Sequence, residues 1–424
     1  MSSSVKKYIL ILSICLIGVV LYFAIPHVFS SSYNKQNDMT VDAVFPKSEN
    51  IENFSSDQPI EIVPPSRIVT HIETPDRVKA VYMSSWVAGT KNMRQKIIDM
   101  IDRTEINAIV IDIKDYTGNI SYEPNDSVLH DQKTWTKRIS DIETLIDDLH
   151  GRNIYIIGRV AVFQDPFFVK AHPEYAVKKA SDKTALWADR KGIHWLDAGA
   201  EPVWEYTVAI AKDAYAIGFD EINFDYIRFP SDGNMKDIYY PISESKEKSE
   251  VLESFFIYLS ENLRTGETPI PTSADLFGMT TSNTDDLGIG QVLEKALPYF
   301  DFIAPMVYPS HYPATWHGFK NPAEHPYDVI KISMSDAYDR AVAMGESPKK
   351  LRPWLQDFNL GAQYTPERVR AQITATYDIG LDSWMLWDPA NTYTESAFHL
   401  DDSKDVVVSP KTTLPQDEST GTIE

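Results

Sequence analysis

The chain has 424 residues, of which 43% are hydrophobic and 12% aromatic, and this is enough for one large globular core. Its formal net charge of −21 excludes a basic surface for nucleic acid and is typical of a solvated acidic surface or of a protein with a neutral or cationic ligand. The single cysteine, Cys15, lies in an N-terminal apolar run, so the rest of the chain has no disulfide, no cysteine-ligated zinc and no cysteine nucleophile.

The first element along the chain is an uncharged apolar segment from Tyr8 to Ile25. It is long enough to span a bilayer, and Lys6 and Lys7 before it orient the N-terminus towards the cytoplasm. Residues 1–27 are therefore predicted to be a signal-anchor or a signal peptide, and the anchor is favoured because Val28-Phe29-Ser30 is a poor cleavage site. Both predictions place the rest of the chain outside the cytoplasmic membrane, held by a single membrane-spanning segment or secreted if that segment is cleaved.

Two segments of biased composition flank a central domain. Residues 28–76 are rich in Ser, Asn, Asp and Pro without sustained periodicity, which predicts a flexible linker. Residues 401–424 are acidic and rich in Ser and Thr, which predicts a disordered tail. One domain is therefore expected over residues 77–400.

Strand and helix patterns alternate eight times within that domain. The predicted strands are Val78–Tyr82, Ala108–Ile113, Ile154–Val160, Glu221–Phe224, Thr272–Leu276, Phe302–Met306, Arg352–Leu355 and Ser383–Trp387. The helical patterns between them are Lys91–Arg103, Asp141–Arg152, Glu201–Ile217, Ser245–Leu263, Gln291–Leu297, Tyr327–Met344 and Thr365–Ile379. This alternation predicts an α/β fold with a single (β/α)8 TIM barrel. No G-x-G-x-x-G follows the first strand, which removes the simplest dinucleotide-binding interpretation.

The carboxyl ends of the predicted strands carry charged, amide or aromatic side chains. Catalytic groups of a TIM barrel lie at this end of the strands, and aromatic rings there can stack on the apolar faces of sugars. A lone Asp after a strand is more often a helix N-cap, but the pattern across so many strands favours a substrate site. The residues predicted to bind substrate are Asp112, Lys114, Arg159, Asn223, Arg228, Tyr308, Trp86, Trp354, Gln356, Trp387 and Asp388.

The segment GFDEINFDYIRFP, Gly218 to Pro230, carries the strongest chemical signal. Period-2 geometry places Glu221, Asn223 and Asp225 on one face of a short strand, with Asp225 at its end. Asp225 is therefore predicted to be a catalytic nucleophile, supported by the two polar residues deeper on the same face. The candidates for a cation that keeps Asp225 ionised are Lys114, Arg159 and Arg228.

A pair of carboxylates is what glycoside cleavage requires. One acid protonates the leaving oxygen, and a carboxylate attacks the anomeric carbon or activates water. Asp275 ends the neighbouring strand and is the predicted proton donor, with Asp357 and Asp388 as the alternatives. Because neighbouring strands lie about 4.8 Å apart, the two carboxylates are expected at the retaining separation of about 5–5.5 Å.

Four segments carry a resemblance to a known family: Val81–Ser84, Ile111–Asp115, Phe224–Pro230 and Ala304–Pro309. Together they resemble a bacterial family of glycosyl hydrolase domains that was formerly a domain of unknown function, and the Asp-Tyr-x-Arg-Phe-Pro stretch is the most specific element. The resemblance spans roughly residues 77–400 and implies carbohydrate chemistry.

The family is distantly similar to the α-amylase-type barrel hydrolases, in which a nucleophilic aspartate ends strand four and the acid ends strand five. By position, that similarity implies Asp225 and Asp275 in these roles. The sequence departs from the amylase-type pattern at Asn223, where those enzymes have an arginine, and in having aspartate rather than glutamate at position 275. Because of both departures, the similarity to amylase-type enzymes does not by itself assign Asp275 as the acid, and it does not imply specificity for α-glucans.

The sequence thus predicts an enzyme, an extracytoplasmic glycoside hydrolase acting on a polysaccharide or oligosaccharide. The alternative is a non-catalytic carbohydrate-binding or cell-envelope scaffold on a hydrolase-like barrel, because a fold does not certify an activity. A metal-dependent hydrolase or deacetylase would need clustered histidines, whereas those of this chain, including His311 and His317, are scattered. The expected partners are a glycan and the membrane, and no cofactor, metal or nucleic acid is expected.

Overall fold

The structure is a computed structural model in which residues 67–399 are described. Their strands are β1 (Lys79–Met83), β2 (Ala108–Lys114), β3 (Tyr155–Ala161), β4 (Glu221–Asp225), β5 (Thr272–Phe277), β6 (Phe302–Met306), β7 (Trp354–Gln356) and β8 (Trp384–Trp387). Neighbours in sequence pair in parallel, and β8 pairs with β1 to close the barrel. The prediction of an eight-stranded parallel barrel is confirmed.

Helices connect the strands. They are α1 (Ser85–Ala88), α2 (Lys91–Arg103), α3 (Ser127–Gln132), α4 (Ile142–Gly151), α5 (Pro166–Ala171), α6 (Glu201–Ile217), α7 (Lys248–Leu263), α8 (Leu293–Ala296), α9 (Pro326–Ala343) and α10 (Pro366–Asp378). The sequence patterns missed α1, α3 and α5. Each of these has at most six residues, which is too short to show a helical hydrophobic period.

Side chains alternate between the inside and the outside of the barrel. Along β2, Ile109, Ile111 and Ile113 belong to the hydrophobic cluster formed with the helices, whereas Ala108 and Val110 belong to a separate cluster inside the barrel. The interior of the barrel is therefore a packed core rather than a channel.

An ion pair lies inside the barrel at its amino-terminal end. The Nη1 atom of Arg352, just before β7, donates to both carboxylate oxygens of Glu221 at 2.9 and 3.0 Å, and neither residue has exposed surface. The Tyr155 hydroxyl donates to Glu221 at 3.1 Å, and the Phe302 ring centroid lies 3.8 Å from the guanidinium. We call these four residues the base cluster.

The predicted linker extends to residue 76, but the structure places residues 67–76 against the barrel. Arg67 donates from Nη1 to the carbonyl oxygen of Ile217 at 2.7 Å. The backbone N–H of Ile72 donates to Asp220 Oδ1 at 2.7 Å. These residues are therefore part of the folded domain.

Between residues 67 and 399, no helix combines the length and the hydropathy needed to cross a bilayer. The predicted membrane segment Tyr8–Ile25 lies outside the described residues, as do the predicted tail over residues 401–424 and most of the predicted linker. These three expectations stay predictions.

Candidate active site

Polar side chains occupy alternate positions along β4. Glu221 lies in the base cluster, Asn223 in the middle of the barrel and Asp225 at the carboxyl end, as their hydrogen bonds show. Ile222 and Phe224 point the other way and pack in the cluster formed with the helices. The period-2 pattern of the sequence therefore describes β4 correctly, and the strand presents Asp225 at the mouth of the barrel.

Arg159, on β3, is the centre of the charged network at that mouth. Its Nε atom donates to Asp225 Oδ2 at 3.1 Å, and its Nη2 atom donates to the same oxygen. Its Nη1 atom donates to Asp112 Oδ1 at 2.6 Å, and Asp112 Oδ2 accepts a hydrogen bond from the Tyr82 hydroxyl at 2.6 Å. Of the three candidate cations, Arg159 is the one that pairs with Asp225.

Asp225 and Asp275 stand at the same height on adjacent strands. Asn223 on β4 is in register with Ser273 on β5, and each carboxylate lies two residues further along its strand. Asp275 Oδ2 is 3.9 Å from Arg159 Nε, the atom that is 3.1 Å from Asp225 Oδ2. The two oxygens are therefore separated by at most the sum of these distances, about 7 Å, a bound that includes the retaining separation and only the lower edge of the inverting range.

Asp275 lies in a site that favours its protonated form, because it is only 1% exposed. Its Oδ1 atom accepts hydrogen bonds from Asn223 Nδ2 at 2.9 Å and from Trp354 Nε1 at 2.8 Å. Burial raises the pKa of Asp275 well above its usual value and the charge of Asp225 raises it further, while Arg159 and the two hydrogen bonds oppose the rise. Because Oδ1 already accepts two N–H donors, we place the acid proton on Oδ2.

A cavity of about 430 Å³ opens beside both carboxylates. This volume lies within the usual range of small-molecule sites, about 300–1,000 Å³. No group of three or more His, Cys, Asp or Glu side chains within residues 67–399 is arranged to hold a metal ion. The residues singled out from the sequence that line the cavity are Asp225, Asp275, Arg159, Arg228, Tyr308, His311 and Trp387.

Comparison with known families identifies the domain. The family described as "Putative glycosyl hydrolase domain" matches residues 80–393, which is more than half of the chain and includes both carboxylates. The chain belongs to this family. The resemblance inferred from the sequence is therefore confirmed. No curated protein matches the chain.

Several solved structures resemble this glycosyl hydrolase domain. A hypothetical protein from Ruminiclostridium thermocellum is 33% identical, with a TM-score of 0.41, over 49% of this chain and 98% of that chain. The PgaB (BpsB) glycoside hydrolase domain from Bordetella bronchiseptica is 14% identical, with a TM-score of 0.54, over 77% of this chain and 99% of that chain. The α-galactosidase TtGalA from Thermus thermophilus is 16% identical, with a TM-score of 0.44, over 74% of this chain and 58% of that chain. The likeness to the PgaB domain supports the barrel fold and nothing finer.

Four residues predicted to bind substrate are instead buried among protein groups in the glycosyl hydrolase domain. Asn223 and Trp354 have no exposed surface and hold Asp275. Gln356 is equally buried, and it accepts from and donates to the backbone of the loops after β6 and β7. Asp112 is covered by its bonds to the central guanidinium and to a tyrosine. The structure therefore gives these four residues positioning contacts.

Lys114, predicted to bind substrate or to pair with Asp225, points away from the cavity. The pairing of β2 with β3 shifts register between Asp112 and Lys114, and this irregularity ends the alternation of the strand. The Lys114 Nζ atom lies 2.7 Å from Asp165 Oδ2, donates to the Ala161 carbonyl oxygen at 2.7 Å and lies 5.5 Å from the ring centroid of Tyr206 on α6. Lys114 therefore stabilises the connection after β3 and does not contact the cavity.

Trp86 and Asp388 also lie outside the residues that line the cavity. Trp86 is 60% exposed, and the guanidinium of Arg138 lies 4.2 Å from its ring centroid. Asp388 accepts hydrogen bonds from the backbone N–H groups of Ala390 at 3.0 Å and Thr392 at 2.9 Å. The structure gives Asp388 a role in shaping the loop after β8.

Asp357, one of the alternatives for the acid, binds the same C-terminal loop. Its two oxygens accept from the Thr394 backbone N–H at 2.8 Å and the Thr394 hydroxyl at 2.6 Å. Burial raises the pKa of Asp357 to about 7, and the neighbouring charge of Asp388 adds to the rise. Asp357 does not line the cavity, so the geometry favours Asp275 as the acid.

Sequence reasoning missed a group of residues that line the cavity from the ends of β5 and β6 and from the loops. Periodicity carries no signal in irregular connections, and these residues are apolar or aromatic types that occur equally in cores. Tyr226 could have been found because it follows the predicted nucleophile directly. The missed residues are Tyr226, Phe277, Gly278, Met279, Met306 and Tyr312.

Proposed function

We propose that the chain is an extracytoplasmic glycoside hydrolase that cleaves the glycosidic bonds of a polysaccharide by a retaining, two-carboxylate mechanism. The observation that carries the proposal is that Asp225 and Asp275 approach one nitrogen of Arg159 and line one cavity. Membership of a glycosyl hydrolase family supports the reaction class. The apolar segment Tyr8–Ile25 supports the location.

In the first step, Asp275 gives its proton to the glycosidic oxygen while Asp225 attacks the anomeric carbon. The bond to the leaving sugar breaks, and a glycosyl ester with Asp225 forms. Burial supplies the raised pKa of Asp275 that keeps its acid form available. Arg159 fixes the orientation of the Asp225 side chain through charge-assisted hydrogen bonds.

In the second step, water replaces the leaving sugar. The Asp275 carboxylate takes a proton from this water, and the resulting hydroxide oxygen attacks the anomeric carbon. The ester bond to Asp225 breaks, so that both carboxyl groups return to their starting protonation states. Tyr308 and Trp387 provide aromatic surface for the sugar rings in the same cavity.

The test is release of reducing ends from a panel of polysaccharides by the full-length chain and by Asp225→Asn. We expect the variant to be at least about 1,000-fold slower, since it lacks the nucleophile but keeps the shape of the side chain. Asp339→Asn, which changes an exposed carboxylate on α9, is the matched control and should act like the wild type. Full activity in a folded Asp225→Asn variant would overturn the mechanism.

A second candidate is a non-catalytic carbohydrate-binding or scaffold protein. It is favoured by the engagement of both Asp225 oxygens, because Oδ1 accepts from the Tyr226 backbone N–H at 2.6 Å while Oδ2 accepts from Arg159. The same panel separates the two candidates. Glycan binding by the wild type without release of any sugar would support the scaffold and contradict hydrolysis.

A further inference from the structure

The cavity contains a second guanidinium, and its surroundings differ from those of Arg159. Arg228 lies three residues beyond β4, is partly buried and lines the cavity. Arg159 pairs with Asp112 and Asp225. Arg228 makes no such pair within residues 67–399: the carboxylates whose charges act on it all stay beyond the ion-pair distance of 4.0 Å. The cavity wall therefore holds one compensated cation and one uncompensated cation.

Aromatic rings hold the Arg228 guanidinium in place. Its central carbon lies 4.8 Å from the ring centroid of Trp195, 4.8 Å from that of Phe277 and 5.4 Å from that of Tyr226. The faces of these rings attract the guanidinium charge. They supply no carboxylate or carbonyl oxygen for its N–H donors, which need acceptors elsewhere.

Most of the N–H donors of the Arg228 guanidinium have no acceptor in the described part of the chain. The Nη1 atom of Arg228 donates to the Phe229 carbonyl oxygen at 3.0 Å and to Ser231 Oγ at 3.2 Å. No acceptor within residues 67–399 serves Nε or Nη2. A partly desolvated cation with unused N–H donors is costly to the free protein, and an oxyanion removes that cost when two of its oxygens accept from both donors.

We infer that the sugar bound in this cavity carries an oxyanionic substituent, which Arg228 binds through Nε and Nη2. The inference rests on the proposed function and narrows its substrate to acidic glycans. A carboxylate, a phosphate or a sulfate provides the same planar pair of acceptor oxygens, so the chemistry of recognition is shared and the test separates the sources.

This inference differs from the neutral or cationic ligand that the net charge of −21 suggests. The two expectations differ because the charges involved act over different distances. At physiological ionic strength the charges of the outer surface are screened over about 8 Å, whereas a contact inside a partly buried cavity is screened much less. The local cation therefore governs what the cavity accepts.

The test compares matched acidic and neutral polymers. Polygalacturonate and hyaluronan are assayed beside their carboxyl-reduced forms, phosphorylated starch beside the dephosphorylated polymer, and dextran sulfate beside dextran. The full-length wild type is compared with Arg228→Gln, Arg228→Lys and, as the control, Arg190→Gln, which changes an exposed arginine. Thermal unfolding of each variant is recorded. If Arg228→Gln does not fold, the comparison of acidic with neutral polymers is made with Arg228→Lys.

We expect Arg228→Gln to lower kcat/KM on the acidic polymer about 10- to 100-fold, the value of a charge-assisted hydrogen bond. Arg228→Lys should recover part of this loss, because it restores the charge without the fork. Removal of the acidic group from the polymer should slow the wild type by a similar factor and abolish the effect of Arg228→Gln. Equal rates of the wild type on acidic and neutral polymers, or an equal loss on both for Arg228→Gln, would overturn the inference.

Binding separates failure of this inference from failure of the proposed function. The same polymers, with inorganic phosphate and sulfate as competitors, are titrated against the wild type and Arg228→Gln. Arg228-dependent binding of an acidic polymer without cleavage would support the inference and contradict hydrolysis. Absence of Arg228-dependent binding for every probe would overturn the inference, whatever the enzyme cleaves.

Discussion

Two arginine–carboxylate clusters lie inside the same barrel, one at each end. In the base cluster, Arg352 binds Glu221 with no exposed surface on either residue. At the mouth, Arg159 binds Asp225 beside a cavity of about 430 Å³. Glu221 and Asp225 stand on the same face of β4, so one strand supplies an acid to both clusters. The two pairs have the same residue types apart from the length of the acid, so their position along the barrel axis is what distinguishes them. The Arg352–Glu221 pair is buried in the core, and the Arg159–Asp225 pair faces the cavity.

The two clusters also differ in the number of carboxylates around each arginine. The Nε and Nη2 atoms of Arg352 have no hydrogen-bond partner among the described residues, so Glu221 is the acceptor that balances this buried charge. The mouth instead holds three carboxylates within ion-pair distance of one guanidinium, those of Asp112, Asp225 and Asp275. Burial and the nearby charge of Asp225 raise the pKa of Asp275 and favour its protonated form. Substitutions at the base should therefore affect stability, and substitutions at the mouth should affect catalysis.

The largest effect is expected at the mouth, for Asp275→Asn. The variant should hydrolyse an unactivated glycan about 100- to 10,000-fold more slowly, because it cannot donate a proton to the leaving oxygen. The wild-type rate should fall as pH rises through the raised pKa of Asp275, and this alkaline limb should be absent from the variant. A pH–rate profile of both proteins checks the expectation.

Because an asparagine oxygen can still accept from Asn223 and Trp354, Asp275→Asn should fold normally. A substrate with a good leaving group, which needs little protonation, provides the control and should recover much of the lost rate. Equal losses on good and poor leaving groups would contradict the role of Asp275 as the acid.

The next largest effect is expected at the base, for Glu221→Gln. Loss of the carboxylate leaves the guanidinium of Arg352 buried without a counter-charge, which should lower the free energy of unfolding by about 3–5 kcal/mol. Urea denaturation measures this change. The fraction of the variant that stays folded should keep the wild-type turnover number.

A double variant distinguishes loss of charge balance from loss of packing in the base cluster. Glu221→Leu combined with Arg352→Met removes both charges, so it should be more stable than Glu221→Gln alone. If the single and double variants were equally unstable, packing rather than charge balance would explain the base cluster.

The smallest effect, when it is compared over a single pH unit, is expected beside the mouth, at Asp357. Its pKa is raised to about 7 in the folded protein, so between about pH 4 and 7 the folded state binds more protons at this position than the unfolded state. The free energy of unfolding should therefore fall as pH rises through this window, by up to about 1.4 kcal/mol per pH unit. Denaturation at several pH values should give a shallower fall for Asp357→Asn. An unchanged slope would contradict the burial effect at Asp357.

Much of the fold could be predicted from the sequence because strand and helix periods alternate cleanly. The helix Lys91–Arg103 and the strand Phe302–Met306 match the structure at both ends. The position of Asp225 on its strand followed from period-2 alternation, which depends only on local backbone geometry. Arg159 was a candidate from its place at the end of β3, but its choice as the partner depended on the packing of two strands.

Depth and register could not be predicted in the same way. The strand predicted as Arg352–Leu355 is observed as Trp354–Gln356, so Trp354 begins β7 and is buried instead of lying at the cavity. Lys114 was misplaced because a register shift is a tertiary feature that alternation does not record. The unbalanced charge of Arg228 likewise emerged only once its neighbours were in place.

Trapping the covalent bond between the sugar and Asp225 tests directly whether Asp225 is the nucleophile. An activated 2-deoxy-2-fluoro glycoside of the sugar released from the polysaccharide panel is incubated with the wild type, and tryptic peptides are analysed by mass spectrometry. We expect the peptide from Asp213 to Arg228 to gain the mass of one fluorosugar, carried by Asp225. An adduct on another residue, or turnover of the trapping reagent with Asp225 unmodified throughout, would show that Asp225 is not the nucleophile.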